Sequence, residues 1–339
     1  VRRFWWAVFA VAVMAVAACS GNSAPEAVNT PTLPAVSADW AMFRHLAGVL
    51  DFTGPRRDGA FVMAAGGRLF LLSPSGAVTP FARGVGGYQT PKGPEPYLVL
   101  SREVRVAGQR CSFTSDTVFA IQPGSTPGII MISAQGRARR FASLPSGHRL
   151  SGIAFDGTGR FGYRLLVSAE AHGKTTVYGI GCDGGVATVA TGAPPMEGGL
   201  VVAPATFGKF AGDLIAPNET SGRVYAVSPS GQVTVLAESG LPAGGDIGVE
   251  SAGFVPPGAT AAYLADRLSP GNRHPGDDAI LRLSKTALER AGILPGDLLV
   301  ASEGALTIDV RCAARCAVRY VAAGPAIAHA EGHIAFAAS

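Results

Sequence analysis

The side chains best suited to chemistry lie near the C-terminus, in His329-Ala330-Glu331-Gly332-His333-Ile334-Ala335-Phe336. In an extended strand residues i, i+2 and i+4 share a face, so His329, Glu331 and His333 are expected to point the same way. Related segments recur along the chain. Glu250 opens Glu-Ser-Ala-Gly-Phe-Val, Glu197 opens Glu-Gly-Gly-Leu-Val-Val, and Glu95 opens Glu-Pro-Tyr-Leu-Val-Leu. Aligning Ile153-Ala154-Phe155 with Ile334-Ala335-Phe336 adds a copy in which His148 matches His329 and Leu150 stands where the glutamate would be. Carboxylates brought face to face repel unless they are protonated or bridged by a cation, and an oxygen-rich cluster suits Ca²⁺ or Mg²⁺. Adding His329 and His333 admits Zn²⁺ or Mn²⁺. The competing reading is that these glutamates cap backbone amides or pair with arginines.

What could bring such segments together is a repeat with a period of 40 to 50 residues, which calls for a propeller. Glu197–Val202 is followed by Asp213–Asn218, by Arg223–Ser228, by the turn Pro229-Ser230-Gly231 and by Gln232–Leu236, which is four strands with turn signals between them. Ser151–Phe155, Arg164–Ser168, Thr175–Ile180 and Val186–Ala190 repeat the pattern. A further copy starts at Glu95 and continues through Val118–Ile121, Ile129–Ile132 and Arg139–Ala142. Phe61–Ala64, Arg68–Ser73 and Val78–Phe81 read as a blade without its first strand, and Glu331–Ala337 as a first strand without its blade. Pairing the two termini would then close the ring and remove exposed sheet edges. Between Glu250 and Pro325 six strands and a helix over 284–292 are expected. They form two blades or one expanded blade, so the fold class is an all-β propeller with six blades favoured over five. First strands line the central channel, so Glu95, Glu197, Glu250 and Glu331 are expected to converge on one axis.

These features resemble the six-bladed propellers of the gluconolactonase and SMP-30 group and the NHL repeats. The likeness rests on the Glu-Gly-type first strands, on second strands ending in a polar residue (Glu170, Asn218, Asp266, Glu303), and on the Ser-Pro-Ser-Gly turns at 73–76 and 228–231. The resemblance implies one divalent cation in the channel, usually calcium, for which Glu197, Asn218 and Asp266 are the counterparts of that group's ligands. It also implies a lactonase-type hydrolase, although no residue matches the group's catalytic aspartate.

The remaining signals concern location. Arg2-Arg3, the apolar run Phe4–Ala18 and Val16-Ala17-Ala18-Cys19 read as an export signal, too short to span a bilayer and ending at a bacterial lipobox with Cys19 as the lipidation site. Residues 20–38 read as a flexible tether and 39–339 as the propeller. The expected location is the outer face of a bacterial membrane, held there by the lipid. In an oxidising compartment Cys111, Cys182, Cys312 and Cys316 form an even set, read as Cys312 with Cys316 across a hairpin and Cys111 with Cys182. The chain has 339 residues, 47% hydrophobic and 15% charged, with 45 Gly and 24 Pro. That composition fits many short strands. Lys and Arg number 28 against 24 acidic residues, and setting aside Arg2 and Arg3 leaves 26, a balance that excludes a nucleic-acid partner. A monomer is expected.

Other motifs carry less. Gly179 to Gly184 matches Gly-x-Gly-x-x-Gly, but a strand follows where a dinucleotide site needs a helix, so it reads as a turn. No Gly-x-Ser-x-Gly elbow is present. Arg137, Arg139 and Arg140 read as a solvated blade edge. The insertion from Asp266 to Asp278 is either a lid over a channel mouth or a surface loop. Two function classes follow: a surface propeller binding a divalent metal and a small polar molecule, with lactone or ester hydrolysis open to it, or a non-catalytic scaffold that docks an envelope protein or a glycan.

Overall fold

The computed structural model describes residues 36–90, 95–106 and 110–339. The leader, Cys19 and nearly all of the stretch read as a tether lie outside the described residues. The packed fold takes up the end of that stretch, because Ala38–Asp39 is already a strand, parallel to Cys316–Ala323.

The architecture is an all-β propeller. Four sheets are separate four-stranded blades. The first contains Val49–Thr53, Phe61–Ala65, Arg68–Leu72 and Val78–Phe81. The second contains Leu98–Leu100, Val118–Gln122, Gly128–Ile132 and Ala138–Ser143. The third contains Arg149–Phe155, Leu165–Ala171, Lys174–Ile180 and Val186–Ala193. The fourth contains Val201–Val202, Leu214–Asn218, Arg223–Val227 and Val233–Glu238. A nine-stranded sheet holds the other two blades, joined by one parallel pair, Ala252 with His333, between their innermost strands. The fifth blade is Val249–Phe254, Leu298–Ser302, Thr307–Cys312 and Cys316–Ala323, extended by Ala38–Asp39. The sixth is Ala330–Ala338, Ala259–Asp266, Ala279–Ser284 and Ala41–His45.

Two observations fix this division. The innermost strands touch in a closed circuit, first to second and onward to the sixth, which returns to the first. A hydrophobic cluster also lies between each successive pair of blades. The strand period of two makes this packing work, since each middle strand is buried on both faces. Leu165 and Val167 face the second blade while Leu166 faces the fourth. Leu299 and Ala301 likewise face the sixth blade, and Val300 faces the fourth.

The interval from Glu250 to Pro325 is built in an interleaved order. After laying down the inner strand of the fifth blade the chain makes the two middle strands of the sixth, passes through the helix Lys285–Arg290, and returns to finish the fifth. Ser284 caps that helix by accepting from the Ala287 amide, as its sequence suggests. The first blade has its own inner strand, Val49–Thr53, which the sequence reading missed. Closure also differs in detail from the expected direct pairing of the termini. Ala41–His45 and Ala330–Ala338 are the outer and inner strands of the same blade, linked through the two strands between them. Of the Gly179–Gly184 segment, the first two residues end the strand Lys174–Ile180 and Gly181–Gly184 is the turn, with no helix after it, and both cysteine pairs are bonded as read, Cys111 with Cys182 and Cys312 with Cys316.

Candidate functional site

In each blade the first and second strands are antiparallel, so the start of the first lies beside the end of the second. Arg149 pairs with Glu170, Val249 with Ser302, and Ala330 with Asp266. Side chains from both kinds of end therefore gather over one face of the ring. There they line a cavity of about 650 Å³. Starts of first strands contribute Glu95, Arg149, Glu197, Glu250 and Glu331, and positions just after second strands contribute Glu219, Arg267 and Glu303. Asp246 and His329 complete the charged set. Leu268 to Asn272, in the insertion after Asp266, also line the cavity.

Seven carboxylates thus meet two guanidiniums and one imidazole. The cations are not spread evenly. Arg267 Nη1 donates to Glu95 at 2.5 Å and to Glu331 at 2.9 Å. Arg149 donates to Glu170 at 2.9 Å and bonds both oxygens of Glu197, with Nη2 at 2.7 Å. Glu219, Asp246 and Glu250 have no arginine or lysine partner among the described residues; the one basic partner of Glu303 among them is His329, 3.6 Å away, and Glu303 also shares a side-chain hydrogen bond with Glu219. Oxygen atoms of Glu219, Glu250 and Glu303 all lie within 4.8 Å of one another.

Crowding and burial shift the protonation of this cluster. Burial first, then the charges of Glu219 and Glu331, push the Glu303 carboxyl up to about 10. Glu250 is held well above the carboxylate range by burial and by the charges of Glu331, Glu197 and Glu95. Burial also raises Glu219. Glu95 is pushed up to about 7 by burial and the Glu331 charge, which Arg267 only partly offsets. Glu331 behaves differently. Burial opposes its ionisation, but the hydrogen bond to His329 and the charge of Arg267 outweigh it and lower its pKa. Tyr97, fully buried beneath the cluster, donates to Glu250 at 2.8 Å or Glu331 at 3.0 Å and ties the two together.

Three of the residues singled out in the sequence stand elsewhere. Asn218 donates to the Pro195 carbonyl and accepts from the amide and hydroxyl of Ser221, closing a turn. Asp266 accepts from the amides of His329 and Asp277. Neither lines the cavity. His333 leaves the face shared by His329 and Glu331, because Gly332 takes φ +67° and residues 332–334 oppose Leu264 alone on the neighbouring strand. Its ring turns into the middle of the ring of blades instead. Nδ1 lies 2.9 Å from Asp51, and Nε2 lies 3.0 Å from the carbonyls of both Ile153 and Leu200. Every one of those partners is an acceptor, so both ring nitrogens must carry protons and His333 is an imidazolium.

The structure does bring Glu95, Glu197, Glu250, Glu331 and His329 together. The sequence reading missed Glu219, Glu303, Asp246, Arg149 and Arg267 as cavity residues. A usable signal existed for three of them. Glu219, Arg267 and Glu303 each immediately follow the last residue of a second strand, Asn218, Asp266 and Ser302.

A divalent ion would fit the residues present. Glu303 Oε2 and His329 Nδ1 are buried without hydrogen-bond partners, and three carboxylate groups stand within a few ångströms with no basic residue between them.

No protein-family model and no curated protein matches the chain. Among solved structures it is similar to a streptogramin B lyase, at 11% identity over 84% of this chain and 72% of the other, with a TM-score of 0.44. A catalytically inactive virginiamycin B lyase variant from Staphylococcus aureus, with quinupristin, matches at 12% identity over 88% and 97%, TM-score 0.45. A gluconolactonase from Xanthomonas campestris matches at 14% identity over 66% and 68%, TM-score 0.41. Likenesses this distant do not bear on what the cavity binds.

Proposed function

We propose that this chain is an exported, lipid-anchored propeller that binds a divalent cation and a small polar ligand in the acidic cavity. The observation that carries the reading is the cluster of Glu219, Glu250 and Glu303, whose oxygens lie within 4.8 Å of one another and whose buried Glu303 Oε2 has no partner. Carboxyls held that close in a buried site stay protonated, the direction in which Glu219, Glu250 and Glu303 are shifted, unless a bridging cation lets them ionise, and three carboxylates alone offer the hard oxygen donors that Ca²⁺ takes. The leader ending at Cys19 and the two disulfides support export and anchoring.

Hydrolysis of a lactone or ester is the activity this arrangement supports. When bound, a divalent cation polarises a carbonyl oxygen. Glu95, with a pKa near 7, exchanges a proton readily at neutral pH and is the candidate general acid–base. Arg267 holds Glu95 and Glu331 at fixed positions in the cavity wall.

Calorimetric titration with Ca²⁺, Mn²⁺ and Zn²⁺ tests the reading. Wild type is expected to bind near-stoichiometrically at least one ion, and Glu303→Gln to lose more than the roughly 10- to 100-fold that second-shell changes cost. A wild type that binds none of the three ions would overturn the cation site and leave the scaffold reading in its place.

A further inference from the structure

Beside the three carboxylates stands an imidazole whose two nitrogens face different neighbours. His329 is 3% exposed and Glu303 is 5% exposed. His329 Nε2 lies 3.5 Å from Glu331 Oε1, and that carboxylate is itself held by Arg267 at 2.9 Å and Tyr97 at 3.0 Å. A neutral imidazole has one N–H, and beside the fixed Glu331 carboxylate its place is Nε2. Nδ1 then presents a lone pair. It has no hydrogen-bond partner and lies 3.6 Å from Glu303 Oε2, which also has none.

That separation is informative. It is too long for a hydrogen bond, so the two atoms do not satisfy each other. Two donors about 2.1 Å from one tetrahedral ion stand roughly 3.4 Å apart, which is close to the spacing seen. Glu331 completes the pattern as the carboxylate that orients a metal-ligating histidine through its other nitrogen. Of the three clustered carboxylates, Glu303 is the one that the imidazole faces, and His329 itself lies outside the set whose oxygens are within 4.8 Å of one another.

We propose that His329 Nδ1 and Glu303 Oε2 are ligands of one cation on the His329 side of the carboxylate cluster, so that the site selects a transition metal, Zn²⁺ or Mn²⁺, over Ca²⁺. Calcium takes oxygen donors, whereas an imidazole among carboxylates suits Zn²⁺ and its first-row neighbours. Glu331 acts as a positioning residue that sets the imidazole's tautomer and aim. The inference rests on the cation site proposed above, and it adds a nitrogen that the carboxylates alone do not require.

Two measurements test it. Competition calorimetry on the full chain should show wild type preferring Zn²⁺ to Ca²⁺ by at least about 100-fold. His329→Gln should lose most of that preference while still binding Ca²⁺, and Glu331→Gln should weaken Zn²⁺ by about 10- to 100-fold. Electron spin-echo modulation of the Mn²⁺-loaded wild type should show a directly bound ¹⁴N that vanishes in His329→Gln. A wild type that binds Ca²⁺ as tightly as Zn²⁺, or a Mn²⁺ spectrum without ¹⁴N coupling, overturns the histidine ligand and leaves the carboxylate site standing. Failure to bind any of these ions removes the site itself. The wild-type spectrum decides the question even if a variant does not fold.

Discussion

His333 and Asp51 form the point at which most of the blades meet. Asp51 is fully buried and accepts from the amides of Phe52, Leu98 and His333 as well as from the His333 ring. Through His333 Nε2 the same pair reaches Ile153 and Leu200, so side chains of the first and sixth blades bond backbone of the second, the third and the entry to the fourth. Burial by itself would lower the pKa of His333, but the Asp51 charge and the hydrogen bonds outweigh it and raise it. A folded-state pKa above the unfolded one gives stability that is fully present below about 6.5 and is lost as pH rises through the raised value. The stability difference between wild type and His333→Gln in urea titrations should therefore shrink at alkaline pH. Asp51→Ala, which strands a buried imidazolium, should cost about 3–5 kcal/mol. At this scale the sequence was partly legible. Glu95, Glu197, Glu250 and Glu331 could be read because they share a position in a repeat. Asp51 could not, because a charged residue inside Val49–Thr53 breaks the apolar pattern by which a buried strand is recognised.

The last strand shows how one residue redirects a site. Strict alternation would place His329, Glu331 and His333 on one face, and Gly332 breaks it with φ +67°. A methyl group there would stand 2.3 Å from Asp51 Oδ1. Gly173 has nearly the same backbone conformation, φ +68°, with no atom within 4 Å of where its Cβ would be. Gly173→Ala should thus cost only the roughly 1–2 kcal/mol of the left-handed conformation. Gly332→Ala adds a collision in the buried core, and its loss should exceed the Gly173→Ala loss by at least about 2 kcal/mol in parallel denaturant melts. Equal losses would show that the bulge is not held by the Asp51 contact. Glycine inside a strand signals a bulge, yet the sequence does not say which way the chain turns after it, so the destination of His333 was visible only in three dimensions.

The whole molecule depends on shared sheets to close. The sixth blade takes its outer strand from Ala41–His45 and its inner strand from Ala330–Ala338, and Trp40 is buried against the fifth, donating to Thr307 at 2.8 Å. Removing residues 36–45 should lower the melting temperature and make the amides of Ala279–Ser284 that pair with Ala41–His45 exchange quickly, as read by hydrogen–deuterium exchange. Unchanged protection there would mean that the ring does not need its N-terminal strand. The repeat made the propeller readable, because four strands with turns recur. The interleaving of the fifth and sixth blades was not readable, since strand pattern records which residues are buried and not which sheet receives them.

Whether the carboxylates gathered at one face of the ring hold a cation can be seen by anomalous diffraction. Crystals grown with Mn²⁺ and measured at its absorption edge should give one strong peak inside the cavity, about 2.2 Å from a carboxylate oxygen of Glu303 and within reach of Glu219 and Glu250. No anomalous density in the cavity of crystals grown with excess Mn²⁺, or peaks only on the outer surface of the blades, would rule out the cation site.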